Sequence, residues 1–169
     1  MDALETFRSI ADPNPALSHR FGVFFFASGI LPNPIDFRFQ RVSGISAEVQ
    51  LETVNEGGQN LHAHRLPKKV SYNNLVLERG YSTSPVPSPL NLEFNDTFSR
   101  FKFNPSDVLI TLFGELGGVP SPVPVPIGAW LFMKAYPVKW SVSDLDAQAN
   151  SVVVDTMELA YTRFQIIRI

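Results

Sequence analysis

The sequence predicts a mainly all-β fold, a β-barrel or sandwich with one flanking α-helix, and three observations point to it. Several segments alternate apolar and polar residues with a period of two, the signature of half-buried strands. Later segments are apolar on both faces over strand length, as in a sandwich, a barrel or an interface that covers the second face. Only one stretch carries a helical period.

Taken along the chain, residues 1–20, with Pro13 and Pro15, read as an N-terminal arm ahead of one domain over residues 21–169. Val23-Phe24-Phe25-Phe26-Ala27 is an apolar cluster of strand length. Asp36 to Val42 reads as a strand with Phe37 and Phe39 opposite Arg38 and Gln40. Gly44 follows, supplying the backbone freedom for a sharp bend or bulge. From Ile45 to Thr53 the alternation is clean, with Ile45, Ala47, Val49 and Leu51 on one face and Ser46, Glu48, Gln50 and Glu52 on the other. That pattern predicts a strand with one buried and one wet face. Val70 to Glu78 starts as an alternating strand and then adds Leu75, Val76 and Leu77, so its second half is expected to be covered on both sides.

The helix is expected over Ser88 to Lys102. Leu90, Phe94, Phe98 and Phe101 recur at spacings of 4, 4 and 3, a stripe suited to plugging a barrel end or covering a sheet. Ser88-Pro89 is an N-cap followed by proline at the first helical position, and Asn104-Pro105 ends the helix. Asp107 to Phe113, Ala129 to Tyr136, Val138 to Val142 and Val152 to Phe164 read as strands, with Val138, Trp140 and Val142 sharing a face. Two proline-rich loops, residues 81–89 and 117–126, hold three and four prolines and read as stiff, extended and exposed, or as arms laid on a neighbouring chain.

Composition excludes several classes of function. The chain has 169 residues, of which 18% are charged, and a net charge of −2. It offers no basic face for nucleic-acid binding. Zero cysteines rule out a disulfide scaffold, thiol catalysis and Cys-ligated metal. Acidic Asp2 and Glu5 stand where a signal peptide would be basic, and no apolar run has the length of a transmembrane helix. A protein made in the cytoplasm, with no membrane insertion, is expected.

No active site assembles from the residues. His62-Ala63-His64 has the spacing for two metal ligands, but a third at a familiar spacing is missing, so surface histidines are expected. No Gly-x-Ser-x-Gly elbow is present. Gly57-Gly58 lacks the neighbours of a phosphate loop and reads as a mobile turn needing positive φ. Asp144, Asp146 and Asn150 lack the glycine and glutamate of a calcium loop and read as turn residues at a strand corner. No enzyme, cofactor or metal is expected. A carbohydrate-binding β-sandwich is an alternative, with Trp130, Trp140 or Tyr81 stacking on sugars, although the alternation of Trp140 with valines favours core.

Four stretches together resemble the tail tube protein family of contractile-tailed phages and phage-like extracellular contractile injection systems. They are Phe39-Gln40-Arg41-Val42-Ser43-Gly44-Ile45; Asn55-Glu56-Gly57-Gly58-Gln59-Asn60 with Arg65-Leu66-Pro67; Tyr72 to Gly80; and Ala135-Tyr136-Pro137-Val138-Lys139-Trp140 running to Asn150 and a long strand beyond. The resemblance implies a tail-tube-like fold and homo-hexameric rings stacking into a tube, with cargo protein or DNA in the lumen and sheath and baseplate proteins as partners. It also implies that the loop from Val54 to Arg65, with Asn55, Glu56, Gly57, Gly58, Gln59 and Asn60, reaches another subunit. Glu48, Gln50 and Glu52, on the wet face of their strand, are the candidate lumen residues; the alternative is that this face meets sheath. The N-terminal arm and the 117–126 insertion are longer than a minimal tube subunit needs, so a specialised tube-initiator ring at the baseplate end is the alternative to the bulk tube.

Overall fold

The computed structural model describes residues 20–26, 39–55, 57–58, 62–81, 89–114, 125–148 and 150–168. Among these, nine strands and one helix are arranged as β1 (Phe21–Phe26), β2 (Arg41–Ser43), β3 (Ala47–Val54), β4 (His64–Tyr72), β5 (Leu75–Gly80), α1 (Pro89–Arg100), β6 (Ser106–Gly114), β7 (Val125–Val142), β8 (Val154–Ala160) and β9 (Arg163–Arg168). One antiparallel sheet follows the order β1-β6-β7-β8-β5-β2, with β9 also on β7, and β3 and β4 form a separate two-stranded ribbon. The fold is all-β with one flanking helix, as the sequence predicts. Residues 1–19 of the N-terminal arm, residues 82–88 and residues 115–124 lie outside the described residues.

β7 is the spine. The sequence reads it as two strands broken at Pro137, but it is one strand of 18 residues. Residues 125–135 pair with β6, and residues 136–142 pair with β8. A bulge stands on either side of that change. Lys134 takes a left-handed φ of 53°, and its N–H donates to the Asp107 carboxylate at 2.9 Å, which satisfies the donor that the bulge removes from the ladder. The second irregularity lies between Pro137 and Lys139, where a proline in a ladder is tolerated.

The expected strand from Val152 to Phe164 is two strands, β8 and β9, both antiparallel to β7. They follow one edge of it, with a kink where Thr162 N–H donates to Met133 O at 3.0 Å. Val70 to Glu78 is likewise split at Asn73 and Asn74, between β4 and β5.

Val23, Leu75, Leu77, Val108, Phe132 and Met157 are fully buried in one core. These residues come from both parts of the sheet, so the parts on either side of the β7 bulges close on a common interior. Phe94 of α1 joins that core. The helical stripe is corrected beyond it: Phe98 is half exposed and Phe101 is exposed. The helix ends at Arg100, before Asn104-Pro105, because Phe101 adopts a left-handed φ of 52°. The chain turns back there, with Thr97 Oγ1 donating to Lys102 O at 3.2 Å.

Gly44 has φ 85°, as its expected bend requires, and a Cβ there would lie 2.0 Å from Asn74 O. The close approach lets the chain leave β2, paired to β5, and enter the ribbon.

Candidate assembly surface

The alternation at residues 45–53 is real, but its expected burial is not observed. Every residue of β3 is exposed, and so are the first seven of β4. The ribbon leaves the body, so neither face has a layer of protein against it among the described residues. Ala47, Val49 and Leu51 pair with Tyr72, Val70 and Pro67, which puts these apolar residues on one face, while Leu66, opposite Glu52, and Val54 lie on the other face toward the tip. Val49, Leu51 and Val70 are 50%, 54% and 48% exposed.

Glu48 and Gln50 pair with Ser71 and Lys69 on the other face. Lys68 is the extra residue of a bulge between Gln50 and Leu51, and its ammonium lies 3.4 Å from Glu52. The candidate lumen residues Glu48, Gln50 and Glu52 thus share this face, which is polar at the ribbon base and carries Leu66 and Val54 toward the tip. At the ribbon base, Tyr72 packs on Tyr161 and Phe164, each at 5.7 Å between ring centroids. Tyr161 carries a buried hydroxyl with no partner among the described residues, and burial, then Tyr72, raises its pKa.

An isolated hairpin is marginally stable in water at best, and apolar surface held out on both strands of one marks an interaction site. At the ribbon tip, Asn55, Gly57 and Gly58 are exposed, and Gly58 has the expected positive φ, 94°. Glu56, Gln59 and Asn60 lie outside the described residues. His62 and His64 meet edge to face at 5.4 Å, and no group of three or more metal-ligating side chains occurs among the described residues.

Open sheet edges add to this surface. β6 covers one edge of β7 only as far as Ala135, while β8 and β9 follow the other. Residues 136–142 therefore have one edge with no strand partner among the described residues. β1 and β2 end the sheet path, and β9 exposes Ile166 and Ile167. Unpaired N–H and C=O groups on such edges are templates for another chain.

At the far end of β8, a buried polar cluster ties the helix to the sheet. Arg79 Nε donates to Asp155 Oδ2 at 3.3 Å, and Arg79 also donates to Asn91 Oδ1 on α1. Trp140 Nε1 donates to Asp155 Oδ1, and the guanidinium lies 5.9 Å from the Phe39 ring centroid. Trp140 is on the core-side face of β7, opposite Met157, yet it is half exposed because it stands beside the open edge. Trp130 is partly buried against the core, and Tyr81 is exposed. On the outer face, Lys139 Nζ bonds Glu158 Oε1 at 2.8 Å, and that contact leads in holding the Glu158 carboxyl below its ordinary range. Asp146 accepts the Gln148 N–H at 2.9 Å, an Asx turn at the strand corner.

Sequence reasoning missed β4 as a surface element and missed the Arg79 cluster. The bulge at Lys68 shifts the alternation of β4 by one residue, and Arg79 and Asp155 are 76 residues apart in sequence.

Residues 18–165 match the family described as T4-like virus tail tube protein gp19. No curated protein matches the sequence. A chain in the six-fold symmetrised cryo-EM structure of the anti-feeding prophage baseplate is 37% identical, with a TM-score of 0.80 over 93% of this chain and 98% of that one. A chain in the tube-terminating cap of the same prophage is 20% identical, with a TM-score of 0.72 over 94% of both. A chain in the extended sheath–tube complex of PVC, an extracellular contractile injection system, is 20% identical, with a TM-score of 0.70 over 100% of this chain and 99% of that one. The latter two likenesses establish the fold.

Proposed function

The chain belongs to the T4-like virus tail tube protein family, and from that premise we propose that it closes with copies of itself into six-membered rings stacked around a lumen. The observation that carries this proposal is the β3–β4 ribbon, exposed on both faces, with Val49, Leu51 and Val70 held in solvent on one of them. A neighbouring copy that covers Val49, Leu51 and Val70 removes these side chains from water. Open edges at residues 136–142 and on β9 supply strands for a sheet that continues between subunits. The opposite face, with Glu48, Gln50 and Glu52, then lines the lumen along which cargo protein or DNA passes. The tip residues 55–60 reach the next subunit. The subunit does no chemistry; it is a conduit made in the cytoplasm and built into a phage tail or released particle with sheath and baseplate proteins.

Val49→Asp with Leu51→Asp tests the ribbon. The expected outcome is a folded chain, by circular dichroism, that no longer forms rings in negative-stain images. Unchanged ring formation sinks the proposal. Charge reversal at Glu48 and Glu52 is expected to alter cargo loading and leave rings intact; failure to assemble refutes the lumen assignment.

Within the tube, a ring at the baseplate end is the second reading. It is favoured by the 37% identity to a chain of a baseplate structure, against 20% for the chain of a sheath–tube complex. Gold labelling of tagged particles distinguishes the two: label confined to one end supports a specialised ring, and label along the whole tube supports the bulk subunit.

A further inference from the structure

The second surface lies away from the ribbon. Tyr81 follows β5 at the end away from the ribbon, and the six residues of β5 span about 20 Å at the rise of a strand. Beside Tyr81, α1 and the end of β7 leave a groove of about 360 Å³ between them. Tyr81, Phe98 and Trp140 form its walls, and they are 58%, 52% and 49% exposed. Phe94, buried in the core, closes its floor. Asn91, Asn95, Phe98 and Ser99 line it from α1 at i, i+4, i+7 and i+8, so one helix face is turned toward it.

The groove is held in shape. Trp140 is fixed by its bond to Asp155, and Asn91 by Arg79. Three large aromatic side chains around one opening, with a polar cluster locking two walls, make a preformed receptor for an apolar side chain.

Its charge surroundings choose the partner. Residues 140–162 contain four acids and no Lys, Arg or His. Asp155 is paired with Arg79, and Glu158 with Lys139 on the outer face. Asp144 and Asp146 make no ion pair among the described residues, and both line a depression in the 143–153 corner together with Val153. The Val153 carbonyl accepts the Tyr81 N–H at 2.8 Å, so the acidic corner abuts the aromatic groove.

We propose that this groove docks a peptide segment of another protein, one that carries an aromatic or large aliphatic side chain with a lysine or arginine a few residues away. The apolar side chain seats between Trp140 and Phe98 over Phe94, and the cation faces Asp144 and Asp146. This goes beyond ring formation, because the groove uses no residue of the ribbon, and from the open edge at residues 136–142 it uses only the Trp140 side chain, not the free backbone groups.

Trp140 is the reporter. In the full-length chain with Trp130→Phe, leaving one tryptophan, emission is followed while acetyl-Phe-Ala-Lys-Lys-amide is added. A saturable shift with a midpoint on the order of 1 mM is expected for so small a probe. Phe98→Ala is expected to weaken binding about fivefold, and Asp144→Asn with Asp146→Asn about threefold, the latter fading at high salt. Circular dichroism of each variant keeps folding separate from binding, since Phe98, Asp144 and Asp146 are exposed. An equal response to acetyl-Ala-Ala-Lys-Lys-amide overturns the anchor, and an equal response to acetyl-Phe-Ala-Glu-Glu-amide overturns the charge complementarity. No saturation by about 10 mM overturns the site. A saturable response to N-acetylglucosamine without one to the peptide reassigns the groove to sugars. A shift with protein concentration alone reassigns it to a second copy.

Discussion

Asp155→Ala is the perturbation from which the buried cluster predicts most. The side chains of Arg79 and Asp155 are 8% and 4% exposed, so removing the carboxylate leaves a guanidinium that water reaches poorly. Asn91 Oδ1 still accepts from it, but an amide oxygen does not neutralise the charge. Breaking a buried pair from one side costs about 3–5 kcal/mol. The lost bond from Trp140 adds little, because that indole is half exposed and water replaces its acceptor. Replacing both partners by apolar residues, Arg79→Met with Asp155→Leu, removes both charges of the buried pair and is expected to fall within about 1 kcal/mol of the wild type. Urea unfolding followed by tryptophan emission measures both, repeated at two protein concentrations so that a change in assembly is not read as a change in folding. A loss below about 1 kcal/mol for Asp155→Ala, or a double variant no more stable than the single one, refutes the reasoning.

Three other outcomes follow from the packing. Phe132→Ala, at a fully buried ring that packs at 4.8 Å on Tyr161 and 5.5 Å on Phe164, is expected to lower the unfolding free energy by about 3–5 kcal/mol, read from the urea midpoint. Gly44→Ala meets both a positive φ and a carbonyl oxygen 2.0 Å from the new Cβ; loss of more than about 1 kcal/mol is expected, with hydrogen exchange rising where β2 meets the ribbon. Glu158 has its pKa lowered below the ordinary 4.5, chiefly by the bond from Lys139 and also by Asn74. Its contribution is therefore present above pH 4.5 and lost as pH falls through the lower folded value. Glu158→Gln is expected to cost less than about 1 kcal/mol at neutral pH, and the cost is expected to shrink as pH falls below 4.5, in unfolding curves taken across that range.

The strand residues were legible wherever burial and period coincide. Leu75 and Leu77 of β5, and Val108 and Ile110 of β6, lie in the interior as their two-faced apolar segments predict. The alternation from Ile45 to Thr53 specified a strand and its two faces, but not whether a layer would cover either. Period records which residues share a face, and burial depends on where the chain then goes. Ile45 packs against the core while Val49, four residues on, stands in solvent. Pro137 reads as a break, yet β7 continues through it, because a proline beside a bulge forfeits little of the ladder. Trp140 shares the core-side face but stands beside an open edge, so facing inward did not bury it. The Arg79 cluster could not be read because its members come from β5, α1, β7 and β8, and no local pattern links them.

The ribbon's two edges decide how it meets a neighbour. Joined edge to edge, it would need a regular row of free N–H and C=O groups. Pro67 lies within β4 and has no N–H, and Lys68 beside it is bulged and charged. Both features blunt an edge against strand addition. No such protection exists on the face of Val49, Leu51 and Val70, where contact needs only complementary apolar surface. A ribbon guarded at one edge and bare on one face favours flat docking over strand addition in the assembly proposed above. In the ring proposed above, flat docking would join unlike surfaces, ribbon on one copy and body on the next, and head-to-tail contact of that kind gives a ring where the rotation between copies closes and an open filament where it does not.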